Sequence, residues 1–111
     1  RPGTVVVAIM TDGMENASSE FTHEAIKGLI TRQEHDYSWQ FLYMGADQDA
    51  IEVGARIGVR ADRSLTYARG RSRQAYAASS KLTRSLKEAT VAGAPLAAVA
   101  FSEEDRKSTK A

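Results

Sequence analysis

The first hydrophobic block, Thr4-Val5-Val6-Val7-Ala8-Ile9-Met10, is continuous and rich in β-branched residues, without the alternation of a half-solvated strand. Such a run predicts a strand covered on both faces, as in a parallel sheet. Asp12-Gly13 ends it with turn chemistry. Between Thr22 and His35 the spacing becomes helical: Ala25, Ile26, Leu29 and Ile30 share one face, and Glu24, Lys27 and Arg32 lie largely elsewhere. Ser19 or Thr22 suits the cap of this helix, and Glu20 suits the positive end of its dipole. A second strand, Trp39 to Met44, is closed by Gly45-Ala46-Asp47. Asp47 or Asp49 then caps a short helix through Ala50, Val53, Gly54 and Ile57, with Gly58 as its stop. Ser64-Leu65-Thr66-Tyr67 is a weaker third strand. Ala75, Ser79, Leu82, Leu86 and Ala89 mark a longer helix from about Arg71 to Thr90, halted by Gly93-Ala94-Pro95. The charged and polar stretch from Ser102 to Ala111 is expected to be a frayed tail, leaving 1–101 as the folded unit.

The order is β-α-β-α-β-α. Right-handed crossovers make three such strands parallel and place helices on both faces, a Rossmann-like α/β arrangement. The chain opens almost at once on a core strand, with neither an initiator Met nor the layout of a signal peptide. The expectation is a segment cut from something longer, with its first strand left as a flat apolar edge. Such an edge invites a missing N-terminal half or a second copy, so an oligomer or complex is expected.

Composition narrows the chemistry. The 15 Lys and Arg residues balance 14 Asp and Glu, so no global charge draws the chain to nucleic acid, a membrane or acidic substrates. The absence of Cys excludes disulfides, thiolate catalysis and Cys-ligated zinc, and a cytoplasmic setting is compatible with it. No apolar run approaches the roughly 20 residues needed to span a bilayer.

In open parallel sheets, ligands sit beyond the carboxyl ends of the strands, near the point where strand order reverses. Asp12 and Asp47 follow the first two strands and fall on that rim. Asp12 is the sharper candidate, because the strand leading to it is the most apolar and is expected to be the most central. A carboxylate there needs solvent, a helix N-terminus or a cation. Equally, Asp12-Gly13 can simply make the turn. For Asp47 the simpler reading is a helix cap.

Val5-Val6-Val7-Ala8-Ile9-Met10-Thr11-Asp12-Gly13 resembles the fourth strand and its T-D-G ending in von Willebrand factor type A domains, and Phe41 through Ala50 resembles the next strand and loop in bacterial and phage-associated members. The resemblance spans most of the chain and implies the C-terminal half of such a domain. It also implies a metal-ion-dependent adhesion site holding Mg²⁺ or Mn²⁺, with Asp12 as one ligand and a carboxylate of a partner protein completing the shell. The Asp-x-Ser-x-Ser loop that supplies other ligands is absent from this sequence and is expected upstream of Arg1. One carboxylate alone binds Mg²⁺ poorly, so no cofactor is expected to be held tightly here. The leading expectation is therefore a non-enzymatic protein-binding module with an incomplete metal site.

Two alternatives stand beside it. Asp12 and Asp47 suit a Mg²⁺-dependent phosphate-handling enzyme. The basic run Arg56, Arg60, Arg63, Arg69, Arg71 and Arg73, flanked by Tyr67 and Tyr76, suits a nucleic-acid surface, although a solvated loop and helix start is the plainer reading. Glu15, Glu20, His23 and Glu24 lack H-E-x-x-H spacing and read as a solvated helix start. His35 reads as a dipole partner at a helix end. Ser79-Ser80-Lys81 lacks an orienting third group, and Gly3, Gly13 and Gly45 form no phosphate loop.

Overall fold

The computed structural model describes residues 4–11, 19–47 and 49–110, with only the backbone of 19–24. Its strands are β1 (Val6–Thr11), β2 (Gln40–Ala46) and β3 (Ser64–Tyr67); its helices are α1 (Ser19–Tyr37), α2 (Ala50–Arg56), α3 (Ser72–Ala92) and α4 (Glu103–Ser108). The sheet is parallel with order β1-β2-β3, in the register Thr11 beside Gly45 and Ala46 beside Tyr67. The fold is α/β, a parallel sheet flanked by helices on both faces, consistent with a partial Rossmann-like arrangement.

The strand order runs straight, so both crossovers return over the same face. Ile30 of α1 and Ala50 of α2, with Ile57 and Val59, pack there on Phe41 and Tyr43. On the opposite face Ala75, Ala78, Leu82 and Leu86 of α3 cover Leu42, Met44, Ala46, Leu65 and Tyr67. β2 is therefore the central strand, buried along almost its whole length. β1 was expected to be the most central strand and also to be left as an open apolar edge; among the described residues it has a strand neighbour on one side only, as the second expectation has it, and its Ala8 is exposed. A run of apolar residues does not report lateral position in the sheet, and here it marks a strand only partly covered.

α1 differs from its expected apolar face. Ile26 and Ile30 point inward, but Leu29 is 54% exposed and Ala25 is exposed too. A helix turns about 100° per residue, so Leu29 sits a quarter turn from Ile30. Lys27 and Thr31, a quarter turn the other way, lie against Gly58 beyond α2. Leu29 thus faces the flank outside β1. Tyr76, 63% exposed, occupies the matching flank of α3, the side on which Lys87 Nζ reaches the Thr4 carbonyl at 3.1 Å and the Thr90 hydroxyl meets that of Thr4.

The expected frayed tail is instead folded. Ser102 and Asp105 form a reciprocal capping box at the start of α4, with N···O distances of 2.9 and 3.0 Å. Buried Phe101 joins the α3-side core, and Thr109 is buried. Arg106 Nη1 donates to the Ser64 carbonyl at 2.9 Å, and the Thr109 carbonyl accepts from Ala68 N at 2.8 Å, so this segment closes the outer edge of β3. Burial pushes the Asp105 carboxyl up, but Lys81, at 2.8 Å, and the Ser102 amide and hydroxyl outweigh it and hold the carboxyl below its ordinary range.

Arg63, expected in a basic surface stretch, is 1% exposed at the amino end of β3. Its Nε donates to the Val99 carbonyl at 2.9 Å and Nη2 to the Leu96 carbonyl at 2.6 Å, while Nη1 meets Gln40 Oε1. Burial works most strongly against its charge, and neighbouring Asp62 and Glu34 support it. One guanidinium thus ties the start of β2, the start of β3 and the returning C-terminal segment together.

Candidate functional site

Thr11, Ala46 and Tyr67 end the strands on one rim, with Asp47 and Arg69 in the loops just beyond. Asp12 and Gly13, the residues on which the sequence argument turned, lie outside the described residues. So do Glu15 and the side chains of Ser19, Glu20, Thr22, His23 and Glu24.

Thr11 is gripped from two directions. The Tyr67 hydroxyl donates to the Thr11 carbonyl at 2.9 Å, and the Tyr43 hydroxyl lies 3.3 Å from Thr11 Oγ1. The tyrosines belong to opposite cores, Tyr43 on the α1/α2 face and Tyr67 on the α3 face. Tyr67 spans β2 above Ala46, its register partner, which is small enough to lie beneath the ring. Tyr43 sits beside Ile9 and leans one pleat onward to Thr11, past a Gly45 that puts no side chain in its way.

Asp47 does not cap α2. It adopts φ 51°, left-handed backbone that Asp tolerates better than most residues. Its Oδ1 accepts from Arg69 N at 3.2 Å and its Oδ2 lies 2.9 Å from Arg69 Nε, latching the β2 and β3 loops together. The cap is Asp49, whose Oδ1 accepts from Glu52 N at 3.2 Å, while Thr66 Oγ1 accepts from Ala50 N at 3.0 Å. Capping chemistry fits either aspartate; the left-handed turn at position 47 settles which one performs it.

The rim oxygens suit a hard cation in kind, being carboxylate and hydroxyl. Among the described residues no three His, Cys, Asp or Glu side chains gather as a metal group. The spacing nearest to Asp-x-Ser-x-Ser is Asp62-x-Ser64-x-Thr66, and it lies toward the opposite, amino end of β3. Asp62 is clamped there by Arg60 at 2.9 and 2.7 Å, the hydrogen bond that does most to lower its pKa, and Ser64 Oγ donates to the Arg60 carbonyl at 3.0 Å.

The other candidates are dispersed. The arginine run divides between the sheet's two ends: Arg56 pairs with Glu52, Arg60 with Asp62 and Arg63 is buried, whereas Arg69, Arg71 and Arg73 follow β3 at the rim. Lys81 pairs with Asp105 across to α4 rather than activating Ser79 or Ser80. His35, in the last turn of α1, faces Asp36 at 2.9 Å on the exposed surface. Sequence alone assigns Tyr43 no role and reads Tyr67 only as a flank of the basic run; the signal for their contact with Thr11 was the small pair Gly45-Ala46, which leaves room for two long side chains to converge.

No described helix is long and apolar enough to cross a membrane. No family model, curated protein or solved structure matches this chain.

Proposed function

We propose that this chain is a protein-binding module, the C-terminal portion of a von Willebrand factor type A-like domain, in which Asp12 shares a Mg²⁺ or Mn²⁺ ion with ligands the chain does not itself carry. The observation that supports this reading is the setting of the Thr11-Asp12-Gly13 ending. It follows an all-apolar strand that has a neighbour on one side only among the described residues. A further parallel strand on the open side would bring its own carboxyl-end loop next to Asp12. Leu29 and Tyr76 overhang that side from the two helical layers, as residues awaiting helices that flank such a strand.

When bound, the ion would offer an open position to a carboxylate of the partner protein. The phosphate-handling alternative needs Asp47 as a second ligand, and Arg69 already satisfies that carboxylate. The nucleic-acid alternative needs one continuous basic surface, and the arginines are split between two ends of the sheet.

Adding Mn²⁺ to this chain is expected to broaden the Gly13 amide resonance only at millimolar ion, because one carboxylate holds such ions weakly. Asp12→Ala abolishes the effect. Micromolar binding by the chain alone, or broadening that persists in Asp12→Ala, overturns the proposal. In the longer protein, capture of the partner is lost on adding EDTA and in Asp12→Ala; capture surviving both has the same consequence.

A further inference from the structure

We infer that the seam between β3 and α4 is a binding site for a small organic monocarboxylate, an acid with a short apolar body. The inference goes beyond the proposed function and does not rest on it. α4 and the residue after it meet the outer edge of β3 at two points. Arg106 Nη1 donates to the Ser64 carbonyl at 2.9 Å, and Ala68 N donates to the Thr109 carbonyl at 2.8 Å. Between these ties the edge is not closed: a cavity of about 340 Å³ lies there, with Leu65, Tyr67 and Ala68 among its walls. That volume is at the small end for ligand pockets, whose usual chemistry is apolar walls with a few convergent polar groups.

Arg106 and Lys110 both line the cavity and give it a positive balance. Arg106 donates to the neutral carbonyls of Ser64 and Ala61, at 2.9 and 3.3 Å, so these bonds leave its charge uncompensated. Two carboxylates nearby are engaged elsewhere, Asp47 with Arg69 at 2.9 Å and Asp105 with Lys81 at 2.8 Å. Among the described residues neither Arg106 nor Lys110 is ion-paired with a carboxylate. A ligand carboxylate placed there meets two cations beside apolar walls, where attraction is stronger than in open water. Asp47, the one carboxylate among the described lining residues, repels a second negative charge, which favours a monoanion over a phosphate dianion. The apolar walls favour a body of carbon over a bare inorganic ion.

The experiment is a titration of the ¹⁵N-labelled chain with phenylacetate at neutral pH, read as shifts of the backbone amides. Shifts are expected at Thr66, Ala68 and Lys110, saturating with a midpoint on the order of 1 mM, the strength open to so small a ligand. Phenylacetamide, of the same shape without the charge, and phenethylamine, of opposite charge, leave these amides in place at the same concentrations. Lys110→Gln, at an exposed position, raises the midpoint about threefold, the effect of losing an exposed charge pair. Arg106→Gln raises it about tenfold, that cation being half-buried. Equal shifts with phenylacetamide, shifts spread over the whole chain, or a midpoint unchanged in both variants overturns the inference. Inorganic phosphate moving the same amides at a lower midpoint overturns the assignment to a monocarboxylate. Should Arg106→Gln lose the dispersed amides of α4, Lys110→Gln decides alone, an unchanged midpoint counting against.

Discussion

The two outer edges of the sheet are finished in different ways. Beyond β3 the chain turns back on itself: the Arg106 side chain and the Thr109 carbonyl meet the outward backbone groups of Ser64 and Ala68, and Arg63 draws in Leu96 and Val99. Beyond β1, Ala8 is exposed, and exposed Leu29 and Tyr76 flank the strand. Natural sheets protect their edges with charge, proline or a covering segment. Here one edge is covered and the other is all apolar. Among the described residues, the β3 edge is met by the returning C-terminal segment, while β1 has no strand neighbour on its outer side.

The largest expected effect comes from the covered edge. Arg63→Ala leaves the Val99 carbonyl without this donor, takes one of two donors from the Leu96 carbonyl and opens a cavity, and should cost about 3–5 kcal/mol in urea unfolding, three charge-assisted hydrogen bonds being lost. A loss under about 1 kcal/mol would mean that the segment does not depend on this clamp. Arg106→Ala removes a charged donor from the Ser64 carbonyl and should cost about 2 kcal/mol, with hydrogen exchange quickening in α4 before the sheet.

Acid should loosen the same edge. The Asp105 carboxyl is held below its ordinary range when folded, so its contribution is complete above the usual carboxylate pKa of about 4. That contribution is lost as pH falls through the lowered folded value. Faster exchange of α4 amides with falling pH, absent in Asp105→Asn, is the expected signature; α4 protection independent of pH in the native chain would exclude it. The smallest stability change belongs to the open edge. Ala8→Lys should alter folding by no more than about 0.5 kcal/mol, yet abolish concentration-dependent association seen by light scattering. A native chain that stays monomeric at high concentration would show that the open edge does not pair unaided.

Much of this fold was legible because its signals are local. The continuous blocks at Val5–Met10 and Phe41–Met44 became strands, and the spacing of Ala75, Leu82 and Leu86 became a buried helix face. What escaped depended on distant partners. Arg63 reads as one of several surface arginines until Leu96 and Val99 return to it, and no local pattern reports that β2, not β1, is central. α4 is the exception. Its capping box, Ser102-x-x-Asp105, and its anchor Phe101 were in the sequence, hidden within a stretch dominated by charge. The rim was legible in part. Asp47 was placed correctly beyond its strand, but its preference for Arg69 over the α2 cap follows from a left-handed turn that residue type alone does not dictate.

The Arg63 clamp also constrains when the molecule can form. Its acceptors lie 33 and 36 residues further along the chain, so during synthesis β3 emerges with a cation that has no interior place to go. While those carbonyls are still within the ribosome, the guanidinium must remain hydrated, and closing the amino end of the sheet around it would strand a bare charge. Completion of the nascent fold is therefore deferred until Leu96–Val99 has emerged.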